Sequence, residues 1–212
     1  MNGLSKVLAK LQVNTSSIKS DGLLSDVQNY SSIDYQMEYV NRKFEYRYKD
    51  CWTAFRLLGF RNLFKLSELS ITSVGCGPCA ELVAVQEYLS DKKITVMGYD
   101  ICDWSRICAL INIPFGIKDI NEDCSDLQSF DLIMCHWTVQ FLETLEKYEL
   151  FIDTILNTTN VLFVINQEHK LVFNHHNGLN TIHNQPIYVK KQSIPTDCNY
   201  TVSALLYSRR RL

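Results

Sequence analysis

The 212-residue sequence has no apolar run of the roughly 20 residues needed to cross a bilayer. It also has no excess of one charge, since 21 basic and 23 acidic residues leave a net charge of -2. We therefore expect no membrane span and no strong global attraction to nucleic acid or membrane surfaces. Internal repeats and low-complexity tracts are absent too. The composition is that of a globular protein, 46% apolar and 21% charged, and its length fits one domain with an elaboration.

Cysteine is frequent, but its distribution does not indicate a disulfide framework. The eight cysteines are scattered along the chain, and most of them lie inside apolar runs. This pattern is typical of small buried side chains in a reducing compartment. We therefore expect a cytoplasmic protein.

From residue 67 onward, short apolar runs alternate with helix-like stretches. Strands are predicted from the apolar runs at 69–74, 94–99, 115–119, 130–135 and 160–165. Helices are predicted between them at 80–90, 104–111 and 143–156. This alternation predicts an α/β fold with a doubly wound, mostly parallel sheet. The final runs at 187–191 and 200–208 predict an antiparallel pair at one edge, which completes a seven-stranded-type sheet.

Two other parts of the chain do not follow this alternation. The stretch 167–186 shows no helical period, and we expect a hairpin or a substrate-shaping loop there. We expect residues 1–66 to form a helical N-terminal extension, a lid or substrate segment over the predicted sheet. The core domain is then predicted to span 67–212.

The stretch 41–65 contains seven Lys or Arg residues and two acids, interleaved with aromatic residues. Cationic and aromatic side chains together are typical of single-stranded RNA binding, so RNA is one candidate partner. The alternative is an amphipathic helix whose aromatic side chains pack on the sheet. Tyr48, Trp52 and Phe55 lie at i, i+4 and i+7, which favours the packing alternative.

The segment 73–85, SVGCGPCAELVAV, supports two incompatible interpretations. Cys76 and Cys79 form the two-thiol motif of a thioredoxin-type dithiol oxidoreductase. No Trp precedes Cys76, however, and two predicted strands separate the motif from 130–135, where a thioredoxin would already be ending. The alternative is a sharp strand-to-helix turn, in which Gly75 and Gly77 adopt positive φ and Pro78 occupies the first helical turn.

Asp100 supports the glycine interpretation, because it ends the second predicted strand 25 residues after Gly75. An acid at this place in a doubly wound sheet accepts hydrogen bonds from the hydroxyls of a ribose. The segment also fits a loose dinucleotide fingerprint. Only about 45 residues follow the strand at 160–165, which is short for the substrate domain of a nicotinamide enzyme.

SVGCGPCAE at 73–81 and MGYDIC at 97–102 resemble the first two motifs of the class I S-adenosylmethionine-dependent methyltransferases. The similarity spans about 67–165 and, more loosely, the final strand pair. It implies S-adenosylmethionine as the cofactor, with its methionine part over the turn and its ribose on Asp100. The cofactor-binding residues that it implies around these motifs are Gly75, Cys76, Gly77, Pro78, Asp100 and Ile101.

Two later segments extend the resemblance. IKDINED at 117–123 implies that Asp119 contacts the adenine amino group, with Ile120 beside it. FDLIMCHW at 130–137 implies that the residues near the transferred methyl group are Cys135, His136 and Trp137. His136 is then a candidate catalytic base, because an imidazole titrates near neutral pH. A structural, hydrogen-bonded histidine is the alternative.

Two positions depart from the family pattern. The family often has an acid two residues before the first glycine, where this chain has Ser73, and a third glycine where this chain has Cys79. A catalytically degenerate binding or scaffold protein with the same fold is therefore the second functional hypothesis. A dithiol oxidoreductase is the third.

The sequence assigns neither the methyl acceptor, whether RNA, protein or small molecule, nor the oligomeric state. No Asn/Asp-Pro-Pro-aromatic tetrapeptide follows the fourth strand, which argues against methylation of an exocyclic base nitrogen. A metal site is not expected, because the spacing of the candidate ligands matches no known pattern. Those candidates are His175, His176, His183, Asp197 and Cys198.

Overall fold

The computed structural model describes residues 3–11, 30–142, 144–167, 178–195 and 202–211. The described part of the chain is built around one eight-stranded sheet with the order β3-β2-β1-β4-β5-β8-β7-β6. The strands are β1 (Glu68–Val74), β2 (Lys93–Asp100), β3 (Phe115–Ile117), β4 (Leu132–His136), β5 (Val161–Gln167), β6 (Gly178–Ile182), β7 (Gln185–Ile194) and β8 (Val202–Ser208). Strands β1 to β5 pair in parallel, as the alternating pattern predicts.

The antiparallel edge is larger than the sequence predicts. Strand β8 pairs with both β5 and β7, and β6 adds an eighth strand beyond β7. The β6–β7 connection is a tight turn at His183 and Asn184, which both have positive φ. The predicted hairpin is therefore present from residue 178, and the rest of the stretch after 167 lies outside the described residues.

Six α-helices are described, and they lie around this sheet. They are α1 (Gly3–Lys10), α2 (Ile33–Leu58), α3 (Phe60–Leu63), α4 (Ala80–Tyr88), α5 (Ser105–Leu110) and α6 (Leu145–Ile155). Because side chains alternate along a strand, the sheet separates two hydrophobic cores. Met134 of β4 packs in the core under α2, α4 and α5, whereas Ile133 packs in the core under α6. No helix in the described ranges is long and apolar enough to span a membrane.

The basic and aromatic stretch 41–65 forms most of α2, and its aromatic side chains pack inward. Five of the seven are buried, Phe44, Tyr48, Phe55, Phe60 and Phe64, while Tyr46 is exposed and Trp52 half-buried. The Phe55 ring lies 5.3 Å from that of Phe163 on β5. The structure thus favours the packing interpretation of this stretch. Helix α2 belongs to the same hydrophobic core as the sheet, so this core extends across the predicted boundary at 66.

Candidate functional site

The sheet has a topological switch point at the carboxyl ends of β1 and β4, the place where a crevice forms in open α/β sheets. These neighbouring strands continue in opposite directions, since β1 leads to β2 on one side and β4 leads to β5 on the other. In open α/β sheets, ligands bind at such a switch point, outside the carboxyl ends of the strands. Here the loop after β1 contains the glycine turn, and the loop after β4 contains Trp137 and Thr138.

The glycine turn has three residues in the left-handed conformation, at alternating positions. They are Gly75 (φ 65°), Gly77 (φ 50°) and Cys79 (φ 60°). Pro78 lies between the last two, and α4 begins at Ala80. Cys79 thus has the left-handed conformation that glycine adopts most easily, although it has a side chain. The turn therefore forms even though this chain has Cys79 where the family often has a third glycine.

Asp100 is fixed against the glycine turn. Its Oδ2 accepts a hydrogen bond from the Gly77 N–H at 2.8 Å, and its Oδ1 accepts one from the Cys102 N–H at 3.0 Å. Burial raises the pKa of Asp100, and the two backbone donors oppose this shift. Each carboxylate oxygen can accept a second hydrogen bond, so the group can still bind vicinal hydroxyls. Ile101 beside it is 55% exposed and offers an apolar surface.

The other predicted adenine residues lie just beyond β3. The Lys118 N–H donates to the Asp100 carbonyl at 3.0 Å, which holds this loop beside the end of β2. Asp119 is half-buried, and its Oδ1 accepts from the backbone and side chain of Asn121 at 2.9 and 3.0 Å. Ile120 is buried in the core under α6. Of this predicted pair, only Asp119 has substantial exposed surface.

The loop after β4 is attached to the glycine turn by Thr138. Its Oγ1 donates to the Val74 carbonyl at 3.0 Å, and its side chain occupies the space that a Cβ on Gly75 would need, 2.3 Å away. Trp137, which precedes it, has a positive φ of 63°. A bulky residue in this conformation is unusual and is typical of functional sites. No local sequence pattern identifies Thr138, because its role depends on a contact between loops that are distant in the chain.

His136, the predicted base, lies buried beneath α2. Its Nδ1 is 3.5 Å from the Cys51 sulfur, while its Nε2 makes no hydrogen bond and lies 4.0 Å from Oδ2 of Asp50. Burial and the Arg47 charge lower the pKa of His136 well below 6.5. The imidazole is therefore neutral and a weak base. Burial also raises the pKa of Asp50, to about 6.

Cys135 does not reach the crevice. It precedes His136 on β4 and therefore points to the opposite face of the sheet, where it is fully buried under α6. The structure brings together the turn, Asp100, Ile101 and Trp137, but it leaves Cys135 and Ile120 in the core. The geometry therefore does not support the predicted contacts of Cys135 and Ile120 with the cofactor.

Arg47 of α2 is a site residue that sequence analysis missed. Its Nη1 donates to the His136 carbonyl at 2.9 Å, and its guanidinium lies 5.6 and 5.9 Å from the ring centroids of Tyr39 and Trp137. These distances are typical of cation–π contacts. Nothing in the local sequence distinguishes Arg47 from the other basic residues of α2, because only helix packing brings it to the end of β4.

Glu81 is the second residue that acquires a role only in the structure. The Ser73 hydroxyl donates to Glu81 Oε1 at 2.6 Å, and both side chains are buried. Burial raises the pKa of Glu81 to about 7, although the Ser73 hydrogen bond and the Arg47 charge act in the other direction. An acid is thus present beside Ser73, but it comes from the first turn of α4.

The two thiols of the turn are packing groups. Cys76 and Cys79 are buried with their sulfurs 3.3 Å apart, and both sulfurs lie over Gly98, which has no side chain to displace them. Burial raises the pKa of Cys76 to about 12, and it also raises the pKa of Cys79 well above its ordinary value. Reactive redox cysteines have the opposite properties, namely exposure and a low pKa. The structure therefore disfavours the dithiol oxidoreductase hypothesis.

The described residues contain no cluster of His, Cys, Asp or Glu that could hold a metal ion. His183 instead contacts two carboxylates of α6, Glu149 at 3.3 Å and Asp153 at 3.7 Å. The remaining candidate ligands, His175, His176, Asp197 and Cys198, lie outside the described part of the chain.

Comparison with known proteins yields similarity in structure but none in sequence. No family model and no curated protein matches the chain. The plantazolicin methyltransferase BpumL, in complex with a monoazolic desmethylPZN analog and SAH, aligns over 98% of this chain and 99% of its own, at 13% identity and a TM-score of 0.57. The methyltransferase CalH in complex with SAH aligns over 81% of this chain and 61% of its own, at 11% identity and a TM-score of 0.54.

A third similar structure is a chain of the complex that contains the Haloferax volcanii Trm112 methyltransferase activator. It aligns over 90% of this chain and 100% of its own, at 13% identity and a TM-score of 0.57. At sequence identities this low, the structural alignments establish the fold alone. Together with the parallel sheet and the glycine turn at its switch point, these alignments show that the chain has the fold of the class I S-adenosylmethionine-dependent methyltransferases.

Proposed function

We propose that the protein is an S-adenosylmethionine-dependent methyltransferase. The observation that carries the proposal is the pairing of Asp100 with the glycine turn through the 2.8 Å hydrogen bond from Gly77. This contact places a carboxylate and a left-handed glycine turn at the switch point of the sheet, where an adenosine cofactor binds in this fold. The exposed Ile101 gives the same site an apolar surface for the base.

When bound, the cofactor supplies an activated methyl group on a positively charged sulfur. The protein mainly has to bind, align and shield the reactants, because the displacement itself needs no redox or metal chemistry. Asp100 orients the ribose, and Trp137 and Arg47 form one wall at the end of β4. In this proposal α2 excludes water from that end of the crevice.

His136 is the candidate base of this proposal, with a restricted role. Its neutral imidazole can accept a proton, but its lowered pKa makes it weak. A weak base is sufficient for an acceptor that is already nucleophilic and releases its proton after methyl transfer. We therefore favour a neutral amine or a similar nucleophile over an alcohol.

The surface of α2 bears on the class of methyl acceptor but does not identify the acceptor. Because most of its aromatic side chains are buried, the helix offers few rings for base stacking, and this weakens the case for RNA. A protein or small-molecule acceptor agrees better with this surface. The cytoplasmic location belongs to the same proposal, and the seven described cysteines, all free, support a reducing compartment.

The test is calorimetric titration of the reduced protein with S-adenosylhomocysteine, the demethylated product. We expect binding by the wild type, strong weakening in Asp100→Asn, and no change in Asp91→Ala, an exposed acid before β2. Asn can still accept one of the two backbone hydrogen bonds, so this variant tests the charge with little disturbance of the turn. Absence of wild-type binding would refute the proposal, while binding without turnover of any acceptor would favour a scaffold.

A further inference from the structure

The imidazole of His136 carries a buried nitrogen that no group in the described ranges satisfies. Its side chain is 1% exposed, and its Nε2 makes no hydrogen bond there, whereas its Nδ1 lies 3.5 Å from the Cys51 sulfur. Buried polar atoms are nearly always paired in folded proteins, so this nitrogen calls for a partner. His136 ends β4 directly before Trp137, at the switch point of the sheet.

The Asp50 carboxylate of α2 faces this nitrogen across a gap. Its Oδ2 lies 4.0 Å from His136 Nε2, which is too far for a hydrogen bond between the two groups. Within the described part of the chain, the carboxylate oxygens of Asp50 also accept no hydrogen bond. The Asp50 side chain is 20% exposed, so a ligand reaches the pair from the side of this residue.

The width of the gap fits a single donor atom that is hydrogen-bonded to both groups. Two hydrogen bonds of about 2.9 Å that share one donor atom meet at roughly 90° when their acceptors are 4.0 Å apart. Two N–H bonds of one nitrogen can span this angle with slightly bent hydrogen bonds. The pair therefore has the geometry of a binding site for a small nitrogen group.

Arg47, which lies one turn before Cys51 on α2, influences the charge of the pair. Its Nη1 donates to the His136 carbonyl at 2.9 Å, and its charge favours a carboxylate at Asp50 and an uncharged ring at His136. A carboxylate has only acceptor atoms, and a neutral imidazole has one acceptor nitrogen. The two groups together therefore suit a ligand that offers two N–H donors, one of them to a charged partner.

We propose that Asp50 and His136 bind the nitrogen of an amine acceptor, which donates one hydrogen bond to Asp50 Oδ2 and another to His136 Nε2. The hydrogen of the His136 ring then lies on Nδ1, toward the Cys51 sulfur. This inference rests on the proposed function and names its acceptor class, primary amines. It also makes Asp50, a residue of the N-terminal extension, part of the site at the end of β4.

The test uses methylammonium as the probe and the ring nitrogens of His136 as the reporter. Long-range proton–nitrogen NMR spectra of the isotopically labelled, reduced protein record both nitrogens, and His136→Gln identifies their signals. At about pH 8 Asp50 is ionised, since its pKa is about 6, and we expect methylammonium to move the Nε2 signal with millimolar affinity. Tetramethylammonium has the same charge but no N–H group, and methanol has a single O–H donor, so neither should produce this shift.

Asp50→Asn removes the charge of the site and keeps the shape of the side chain. We expect it to weaken methylammonium binding about tenfold or more, as for loss of a charge-assisted hydrogen bond. Asp34→Asn is the matched control, the same substitution at an exposed acid in the first turn of α2. It should leave the affinity within about twofold of the wild type. Equal affinities in Asp50→Asn and the wild type would contradict the inference.

The wild-type measurements alone also decide the question, so they cover the case in which Asp50→Asn does not fold. Absence of a shift at about 0.2 M methylammonium, or an equal shift with tetramethylammonium, would overturn the inference. A shift produced by methanol would overturn it too, because the pair would then bind a hydroxyl group.

Calorimetric titration of the same sample with S-adenosylhomocysteine reports on the proposed function separately. If S-adenosylhomocysteine binds and methylammonium does not, the inference fails while the methyltransferase proposal stands. If S-adenosylhomocysteine does not bind, both fail, because an acceptor site then has no methyl donor.

Discussion

At the scale of single residues, the glycine turn depends on Gly75 more than on any other glycine of the site. Gly75 has positive φ, and a Cβ at this position would also clash with the Thr138 side chain, 2.3 Å away. Gly77 also has positive φ, but a Cβ there would meet only ordinary contacts, 3.8 Å or more away. The two glycines of the motif are therefore constrained for different reasons.

We predict that Gly75→Ala lowers the free energy of unfolding by about 3 kcal/mol or more, because strain in φ and steric overlap add. Gly59→Ala is the matched control, with a similar φ of 70° and nothing within 4 Å of the new Cβ. It should cost only about 1 kcal/mol. Urea denaturation measures both values, and equal costs would contradict the role of Thr138.

At the scale of elements, the thiols connect the glycine turn to β2. A Cβ on Gly98 would lie 2.5 Å from the Cys79 sulfur and 3.0 Å from that of Cys76. Because Gly98 is part of a regular strand, its importance comes from this packing and not from its backbone conformation. The cysteines of the motif thus fill the space that a missing side chain leaves.

We predict that Gly98→Ala destabilises the protein by about 1–3 kcal/mol through overpacking. Cys79→Ala removes the closer sulfur, so the double variant should be more stable than the sum of the two single effects implies. Cys79→Ala keeps a Cβ at this left-handed position, which leaves the backbone strain unchanged. Denaturation of the four proteins gives the coupling energy, and simple additivity would refute the contact.

Helix α6 offers a test at its first turn. Thr144 has extended backbone angles and accepts a hydrogen bond from the Lys147 N–H at 3.2 Å, so it is the N-cap. We predict that Thr144→Ala costs about 1 kcal/mol of stability and Thr144→Ser much less, because serine retains the oxygen. Thermal denaturation of the two variants distinguishes loss of the cap from loss of the methyl group.

At the scale of the whole molecule, buried carboxyl groups link stability to pH. The pKa of Glu81 is raised from 4.5 to about 7, so between these values the folded state holds a proton that the unfolded state has released. The free energy of unfolding contributed by this group therefore decreases as pH rises from about 4.5 to 7. Asp50 acts in the same direction, and the lowered pKa of His136 acts in the opposite one.

We predict that Glu81→Gln gains stability relative to the wild type when the pH is raised from 4 to 8. The gain has an upper bound of about 3 kcal/mol from the pKa difference. Comparing the two proteins at each pH removes the contributions of Asp50 and His136, to the extent that these are independent of Glu81. An identical difference between variant and wild type at pH 4 and pH 8 would show that folding does not shift the pKa of Glu81.

The order and type of the elements from β1 to β5 follow from the amino-acid sequence, because local hydrophobic periodicity and turn residues specify them. It also predicted the positive φ of Gly75 and Gly77. Asp100 was predicted from its spacing of 25 residues after Gly75 in the sequence. In the structure its carboxylate accepts a hydrogen bond from the Gly77 N–H. These features depend on short-range chemistry or on a resemblance carried by contiguous motifs.

The set of side chains that share the crevice depends on tertiary packing. Alternation along β4 sends Cys135 to one core and His136 to the other, and the packing of α2 brings Arg47 to the end of that strand. Thr138, Glu81 and the thiols over Gly98 acquire their roles from contacts between segments far apart in the chain. Such contacts depend on how helices pack on the sheet, and local sequence patterns do not encode that packing.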